Sequence, residues 1–466
     1  MEQRKPRIGL VGIMQSLYDE MLPGITERQA NYACDIAAQL GDVADIRFSK
    51  PIKSRADVEE VVRGYEHDNV DGMMLVNLTF GPAMRITRAF VDTNKPLILA
   101  NTQPERNITD QWDMGDMTYN QGIHGIQDTA NTLVRMGKPF AVITGYWKDG
   151  EFKRQFVDWA HAAKAVSEWR RLRIAIFGYS MNGMGDIRVD ETAMMRKLGP
   201  EINFLAQGDL YRAMRAADDD EIQRVIEWEN QQFEIDSNLS QSQREESARY
   251  QVALYRLLGD GGYGAYSTHF DVIGEDGRFQ FLPLAAASHL MAAGYGFGAE
   301  GDASSAALVT AGHHLIGDAH FTEMYAMDFD RDTVLMSHMG EGNWKVARDD
   351  EPVRLIDRAL GIGGLGRPPT VLFRLRPGPA TLTSLVPVQG EHFRLVVSQG
   401  TIIEDAPHMP VLEMPYGEYR PDSGLPAAMD GWLRAGGTHH QCMNLGHWAE
   451  RWRIFCELTG IEYVRV

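Results

Sequence analysis

Two acids set among glycines and aromatics, in Gly294-Tyr-Gly-Phe-Gly-Ala-Glu300-Gly-Asp302, are the first residues of this chain that suggest chemistry. Glycine lets a backbone approach a ligand closely, and loops held by a rigid scaffold commonly carry sites. Asp302 also reads as the cap of a helix from Ser304 to Leu315, whereas Glu300 has no such structural task. Glu323, within Phe321-Thr-Glu-Met-Tyr325, and His338, at the end of Val334-Leu-Met-Ser-His338, lie beside apolar runs. An unpaired charge is costly there, and coordination of a metal would relieve both residues. Gly436-Gly-Thr-His439-His440 supplies further imidazoles. Adjacent residues of a strand face opposite ways, so one of the two is expected at any given site. His313, His314 and His320, on a predicted helix and its end, lack acidic or glycine-rich neighbours and read as packing or surface residues.

These residues need a scaffold, and the apolar pattern describes one. Short runs at Ile8–Gly12, Gly72–Val76, Leu97–Ala100 and Phe140–Thr144 alternate with amphipathic stretches, the rhythm of a parallel sheet with helical crossovers. Thr26–Leu40 has helical spacing, and Ser54 with Asp57 opens the next helix. After a long helical stretch rich in Ala, Lys and Trp, the run Arg173–Phe177 begins a second α/β layer, followed by helices over Asp218–Glu234 and Ser242–Leu258. Val353–Leu360 reads as helix, and Gly294–Asp302 as a loop. From about Thr370, period-two alternation in Thr370–Arg376, Ala380–Leu385 and His392–Val397 predicts antiparallel strands in a small barrel or meander. A helix over Trp448–Leu458 and a strand over Ile461–Val466 close the pattern.

Composition bounds the function. A chain of 466 residues exceeds the roughly 250 to 300 that one hydrophobic core serves, so two or three domains are expected. The formal charge of -18 disfavours phosphate backbones and anionic membranes as partners. Cys34, Cys442 and Cys456 form no CxxC pair, which argues for a reducing cytoplasm and against a thiolate metal site. Neither a signal segment nor a membrane span is expected. Gly361-Ile-Gly-Gly-Leu-Gly366 fits the GxGxxG pattern, but a dinucleotide loop needs a strand before it and a helix start after it. Here Arg367-Pro-Pro follows, so a tight turn and no nucleotide are expected.

Taken in order, several segments resemble the L-arabinose isomerase family: Gln15-Ser-Leu-Tyr18, Phe80-Gly-Pro82, Thr102-Gln-Pro104, Trp112–Met117, Asn120–Gly125, Val142–Gly145, Gly294–Asp302, Ser337-His-Met339, Leu360–Gly364 and Gly436–His440. The resemblance covers nearly the whole chain. It implies an α/β fold with two Rossmann-like, doubly wound parallel-sheet domains at 1–171 and 172–317, then a domain at 318–466 containing an antiparallel β-barrel. It further implies a metal-dependent aldose–ketose isomerase converting L-arabinose to L-ribulose, with D-galactose to D-tagatose as a second reaction; another aldose, or a non-catalytic sugar-binding protein, are the alternatives.

In that family two glutamates and two histidines hold a divalent metal, usually manganese, which the resemblance places on Glu300, Glu323, His338 and His440, with His439 the competitor for the last place. Carboxylate oxygens with imidazoles suit Mn2+ or Co2+, admit Mg2+, and suit Ca2+ less. Glu300 and Glu323 are the implied acid/base pair of a cis-enediol route, a metal-assisted hydride shift being the other route. Gln15, Tyr18, Phe80, Gln121, His124, Met181, Phe270, Tyr325, Ile362 and His439 are implied near the sugar, some reaching it from a neighbouring subunit of a homo-oligomer, a hexamer in the family. Ala303-Ser-Ser305 departs from the family's common Trp-Lys-Thr, and Gly-Ile-Met before Gln15 departs from Gly-Ser. Both put the sugar in question.

Overall fold

The computed structural model describes residues 4–466. They form two compact units, one comprising the chain up to Ser167 with Arg451–Gly460, the other Glu168–Glu450 with Ile461–Val466.

The first unit holds a five-stranded parallel sheet, β1 (Arg7–Ile13), β2 (Asp45–Arg47), β3 (Gly72–Asn77), β4 (Leu97–Asn101) and β5 (Ala141–Thr144), in the order β2-β1-β3-β4-β5. Every residue of β3 is buried, which is why its sequence is an unbroken apolar run. The edge strand β2 carries no such run, and the sequence pattern missed it. Helix Ile25–Leu40 buries Tyr32, Ala33, Ile36 and Leu40 on one face, and Ser54 and Asp57 cap the next helix reciprocally. Trp159, on helix Gly150–Trp169, reaches the start of β3, where a Cβ on Gly72 would lie 2.8 Å from its ring. Helix Ala449–Thr459 sends Ile454 and Leu458 into the same core, and Arg451 pairs with Asp158 at 2.8 Å.

The second unit combines a parallel sheet with a barrel. β6 (Arg173–Phe177) and β7 (Glu201–Leu205) are followed by a two-residue strand, β8 (Glu234–Ile235), which leaves this sheet, and by β9 (Ala265–Thr268) and β10 (Gly296–Ala299). The parallel order is β10-β9-β6-β7. β11 (Ala319–Asp328) and β12 (Thr333–Ser337) begin the barrel, β13 (Arg354–Asp357) and β14 (Pro369–Leu372) join β8 in a small separate sheet, and β15 (Gly378–Pro387), β16 (Phe393–Ile402), β17 (Tyr416–Pro421) and β18 (His440–Leu445) complete the barrel. Its antiparallel ring runs β15-β18-β11-β12-β17-β16 and closes through β15 and β16, leaving no free edge. β19 (Glu462–Arg465) runs parallel along β16. The α/β class with a C-terminal barrel is therefore the observed fold.

Three local expectations are corrected. Val353–Leu360 contains strand β13, because Leu355 and Ile356 are buried between β14 and β8 and tertiary pairing overrides local preference. Thr370–Arg376 lies partly in that small sheet, and the barrel starts earlier, at Ala319. Within Gly294–Asp302 the residues Gly296–Ala299 form β10, a buried strand too rich in glycine to show an apolar run. The GxGxxG segment forms a short 3-10 turn at Ile362–Gly364, the turn expected of it. Among the described residues no helix is long and apolar enough to cross a membrane.

Trp159 is 1% exposed, so Trp159→Ala should lower stability by about 3–5 kcal/mol in chemical denaturation. A loss below about 1 kcal/mol would show that the helix is not held by this side chain.

Candidate metal centre

At the end of β10 the backbone turns through two left-handed residues, Glu300 (φ 60) and Gly301 (φ 83). A side chain is strained in that region, and four contacts hold it there. Glu300 N–H donates to Thr268 O (2.8 Å) and Glu300 O accepts from Met181 N–H (2.8 Å). Gly301 N–H donates to Ser267 Oγ (2.8 Å), and Ser180 Oγ donates to Gly301 O (2.8 Å). Glycine is required at 301, since a Cβ would meet Ser180 Cα at 2.3 Å. Glu300 thus projects beyond the carboxyl end of the strand, where parallel α/β sheets place their sites. Barrel register supplies the rest: Glu323 on β11 faces His440 on β18 and Ser337 on β12, and His338 follows Ser337.

The side chains converge. His440 Nε2 lies 3.2 Å from Glu323 Oε1 and 3.8 Å from Glu300 Oε2. His338 Nε2 lies 3.8 Å from Glu323 Oε1. His439 Nε2 lies 3.8 Å from Glu300 Oε2 and 3.7 Å from Glu323 Oε1. Each ring is held at its other nitrogen by a carboxylate: His440 Nδ1 by Asp302 at 2.9 Å, His338 Nδ1 by Glu341 at 2.6 Å and His439 Nδ1 by Asp186 at 2.6 Å. Such a partner accepts a hydrogen bond from Nδ1–H, which in the neutral ring leaves the Nε2 lone pair directed inward. The adjacent histidines both join this cluster, contrary to the alternation rule, because His439 precedes β18 and is not part of the strand.

The donor set fits a divalent cation. Glu300 Oε2 and His440 Nε2 are buried and meet no hydrogen-bond partner, an expensive state that a cation would remove. Two donors each ~2.1 Å from one ion stand ~3.0 Å apart at a right angle and ~3.6 Å apart at 120°, close to the separations found here. Two triads, Glu300 with His439 and His440 and Glu323 with His338 and His440, each have ligand atoms within 4.8 Å of one another. Burial opposes charge on His440, but the carboxylates of Asp302 and Glu323 prevail and raise its pKa to about 10. Burial likewise opposes charge on Glu323, and the three imidazoles outweigh it, lowering its pKa. Burial raises the pKa of the Tyr325 hydroxyl, and Glu323 adds to the rise.

Among the other residues implied for the sugar, Phe270 and Ile362 line a pocket with Glu300 and His338, while Tyr325 lines a second one with His439. Met181 touches Glu300 through its backbone. Gln15, Tyr18, Phe80, Gln121 and His124 belong to the first unit. There Gln15 and Tyr18 follow β1, Phe80 follows β3, and Gln121 caps helix Gly122–Arg135. Gly122 packs so tightly that a Cβ would meet Asn77 O, at the end of β3, at 2.2 Å. His124, two residues farther into that helix, is exposed. His320 lies on β11 as a packed residue, its Nδ1 accepting from Asn343 N–H (3.1 Å) and its pKa lowered to about 3 by burial.

Sequence reasoning missed Glu341 and Asp186. The signal for Glu341 was an acid between two glycines three residues past His338; Asp186 had none. Asp302 combines both of its possible tasks, accepting from Ser305 N–H (2.9 Å) while holding His440.

Parallel α/β layers, an antiparallel barrel and an inward-facing Glu/His cluster define an α/β enzyme with a centre able to take a divalent cation. Family models of L-arabinose isomerase match in succession: the N-terminal domain over residues 3–171, the central domain over 173–317 and the C-terminal domain over 318–462. L-arabinose isomerase 1 of Bacillus licheniformis is 32% identical over 463 residues, covering 97% of this chain and 92% of the relative. The L-arabinose isomerases of Aeromonas hydrophila and Bacillus subtilis are 31% identical (93% and 89% covered) and 30% identical (97% and 92%). The chain belongs to the L-arabinose isomerase family and is an aldose–ketose isomerase.

In protein stripped of cations, the raised pKa of His440 has a defined consequence for stability. A group charged more readily when folded stabilises fully below its unfolded pKa, near 6.5, and loses that contribution as pH rises through its folded value near 10. Stability of stripped protein in urea should therefore fall between pH 6.5 and 10, and Asp302→Asn should flatten the fall. An unchanged slope in Asp302→Asn would show that Asp302 does not hold the charged ring.

Proposed function

We propose that this chain is a divalent-cation-dependent isomerase interconverting L-arabinose and L-ribulose, with D-galactose and D-tagatose as a slower pair. The observation that carries this reading is the convergence of imidazole Nε2 atoms, each ring oriented by its own carboxylate, on Glu300 and Glu323. The name shared by the relatives supports the sugar. Glu300, Glu323, His338 and His440 are the residues that would hold the ion, Mn2+ being preferred and Co2+ or Mg2+ admissible. When bound, the ion supplies Lewis acidity and a template for the oxygens on C1 and C2.

The chain's own residues carry the proton transfers. One glutamate takes the proton from C2 of the open-chain aldose while O1 gains a proton, giving a cis-enediol. Return of a proton to C1, with loss of one from O2, gives the ketose. The low exposure of both carboxylates, 18% for Glu300 and 16% for Glu323, keeps bulk water from competing for these protons. Phe270 and Ile362 form the apolar side of the pocket containing Glu300, against which the sugar's C–H faces can rest. The three free cysteines support a reducing cytoplasm, and a homo-oligomer of the family's hexameric kind would bring a neighbour's Gln121 and His124 to the sugar.

Glu300→Gln should reduce ketose formation from L-arabinose by at least ~10²-fold, and Glu323→Gln similarly. Near-normal turnover in either variant would remove that residue from the mechanism. Chelation should abolish activity and Mn2+ should restore it; activity that survives exhaustive chelation would sink the cation dependence. In deuterated water, solvent deuterium on C1 of the ketose would establish the enediol route, because a hydride shift carries the C2 hydrogen to C1 without exchange. A panel of aldopentoses and aldohexoses decides the sugar, and a clear preference for an aldose other than L-arabinose would overturn the assignment.

A further inference from the structure

The pocket that contains Glu300 and His338 takes its lining from segments that no shared strand pairing aligns. Met339 and Glu341 follow β12 of the barrel, whereas Ile362 follows β13 of the small separate sheet. The stretch carrying Ile362 is held at its far end by Gly366 N–H, which donates to Gln280 O (2.8 Å), and at its near end by Ala359 N–H, which donates to Glu413 Oε2 (3.2 Å). A side chain ties that near end to the loop after His338: Arg358, 5% exposed, donates from Nη1 to Met339 O. Gly340 makes room for the bond, since a Cβ there would lie 2.7 Å from Arg358 Nη1 and 2.7 Å from Cδ1 of Leu284, which also lines the pocket. Among the described residues Arg358 makes no ion pair and no second hydrogen bond. An apolar side chain would fill the same space at less cost, because burying a guanidinium is expensive.

We propose that Arg358 is a positioning residue for sugar specificity: through Met339 O it fixes Ile362 relative to Glu300 and His338, and so sets the width of the pocket. This rests on the reading of that pocket as the sugar site and deepens it, because the width decides between five-carbon and six-carbon sugars. The loop after β12 keeps other anchors when the tie is cut: Ser337 Oγ donates to Pro415 O (2.7 Å) and Gly342 N–H donates to Ser288 Oγ (3.2 Å). The Ile362 wall therefore yields while His338 and Glu341 stay. Loss of Arg358 costs contact with the sugar and leaves the proton transfers in place.

The test compares Arg358→Met and Arg358→Gln, which lack the donor or the reach to meet Met339 O, with Arg358→Lys, which keeps a donor of similar reach. Full-length protein with Mn2+ present is assayed for kcat and KM on L-arabinose, and for competitive inhibition by the polyols L-arabinitol and galactitol. In the Met and Gln variants KM and the inhibition constant of L-arabinitol should rise about tenfold and that of galactitol less, since one carbon in a pocket is worth roughly tenfold or more. kcat should stay within about twofold, the mark of lost binding contact and not of a lost chemical step. Arg358→Lys should recover most of the affinity for L-arabinitol. In an Ile362→Ala background Arg358→Met should have little further effect, because the tie acts through that wall. Should Arg358→Met fail to fold, Arg358→Gln carries the comparison with a smaller change in polarity. Wild-type inhibition by both polyols in the Met and Gln variants would overturn the proposal, as would a loss confined to kcat or an equal loss for both polyols. A wild-type enzyme inhibited by neither polyol would overturn the sugar reading of the pocket itself, a failure distinct from the others.

Discussion

Five carboxylates, those of Asp186, Glu300, Asp302, Glu323 and Glu341, crowd around three imidazoles in the barrel unit, and their charge is what the surrounding structure must answer. Even with every ring protonated, the rings would leave two negative charges unbalanced. Arg358, which donates to Met339 O, is near enough to Glu341 to feel its charge and answers part of the negative charge at that edge of the cluster. Burying uncompensated charge costs several kcal/mol per ion, so such a cluster persists when something of opposite sign occupies it. A divalent cation supplies two positive charges. The outer acids do a different job from the inner pair: each accepts a hydrogen bond from Nδ1–H and so fixes which nitrogen is offered inward.

Delivery of this cluster depends on one helix. Ala303–Leu315 is buried along nearly its whole length and packs against β10 on the parallel sheet and against β11, β15 and β18 of the barrel. Asp302, at its N-terminus, accepts from Ser305 N–H with one oxygen and from His440 Nδ1–H with the other. The start of the helix and the orientation of a barrel histidine are thus set by the same side chain. Glu300, two residues earlier, is held in its left-handed turn by Thr268, Met181 and the contacts of Gly301, so the parallel sheet contributes its acid at a fixed distance from the strands that carry Glu323 and His440.

The fold was legible where burial imposes periodicity. β1, β3, β4 and β6 read as apolar runs because they are buried on both faces, and β15 reads as alternation because buried hydroxyl side chains alternate with aliphatic ones along it. Legibility failed where burial was achieved without bulk or length: β2 has three residues, β10 is Gly-Phe-Gly-Ala, and β13 carries two buried aliphatics between charged neighbours. At the site, Glu300, Glu323 and His338 stood out as charged residues among apolar or glycine-rich neighbours. Only one of His439 and His440 was expected at a given site because periodicity speaks only for residues inside a strand, and β18 begins one residue after His439. Asp186 left no local trace, since its role follows from a contact with His439 across 253 positions of sequence.

The departure at Ala303-Ser-Ser305 lies at the start of the same helix. All three residues are buried in its first turn, at 3%, 3% and 4% exposure, so the exchange of a large aromatic and a cation for small side chains changes what lies under the cluster. Ser304 Oγ is buried without a hydrogen-bond partner, which marks this turn as imperfectly filled in polar terms. An effect from here on the choice of sugar must travel through Asp302, whose oxygens are committed to Ser305 N–H and His440, and so through the orientation of an imidazole. Phe270, Ile362 and Tyr325 instead line the pockets directly. The departure at Ala303-Ser-Ser305 falls beneath the centre, whereas Gly12-Ile-Met14 lies at the end of β1 in the other unit.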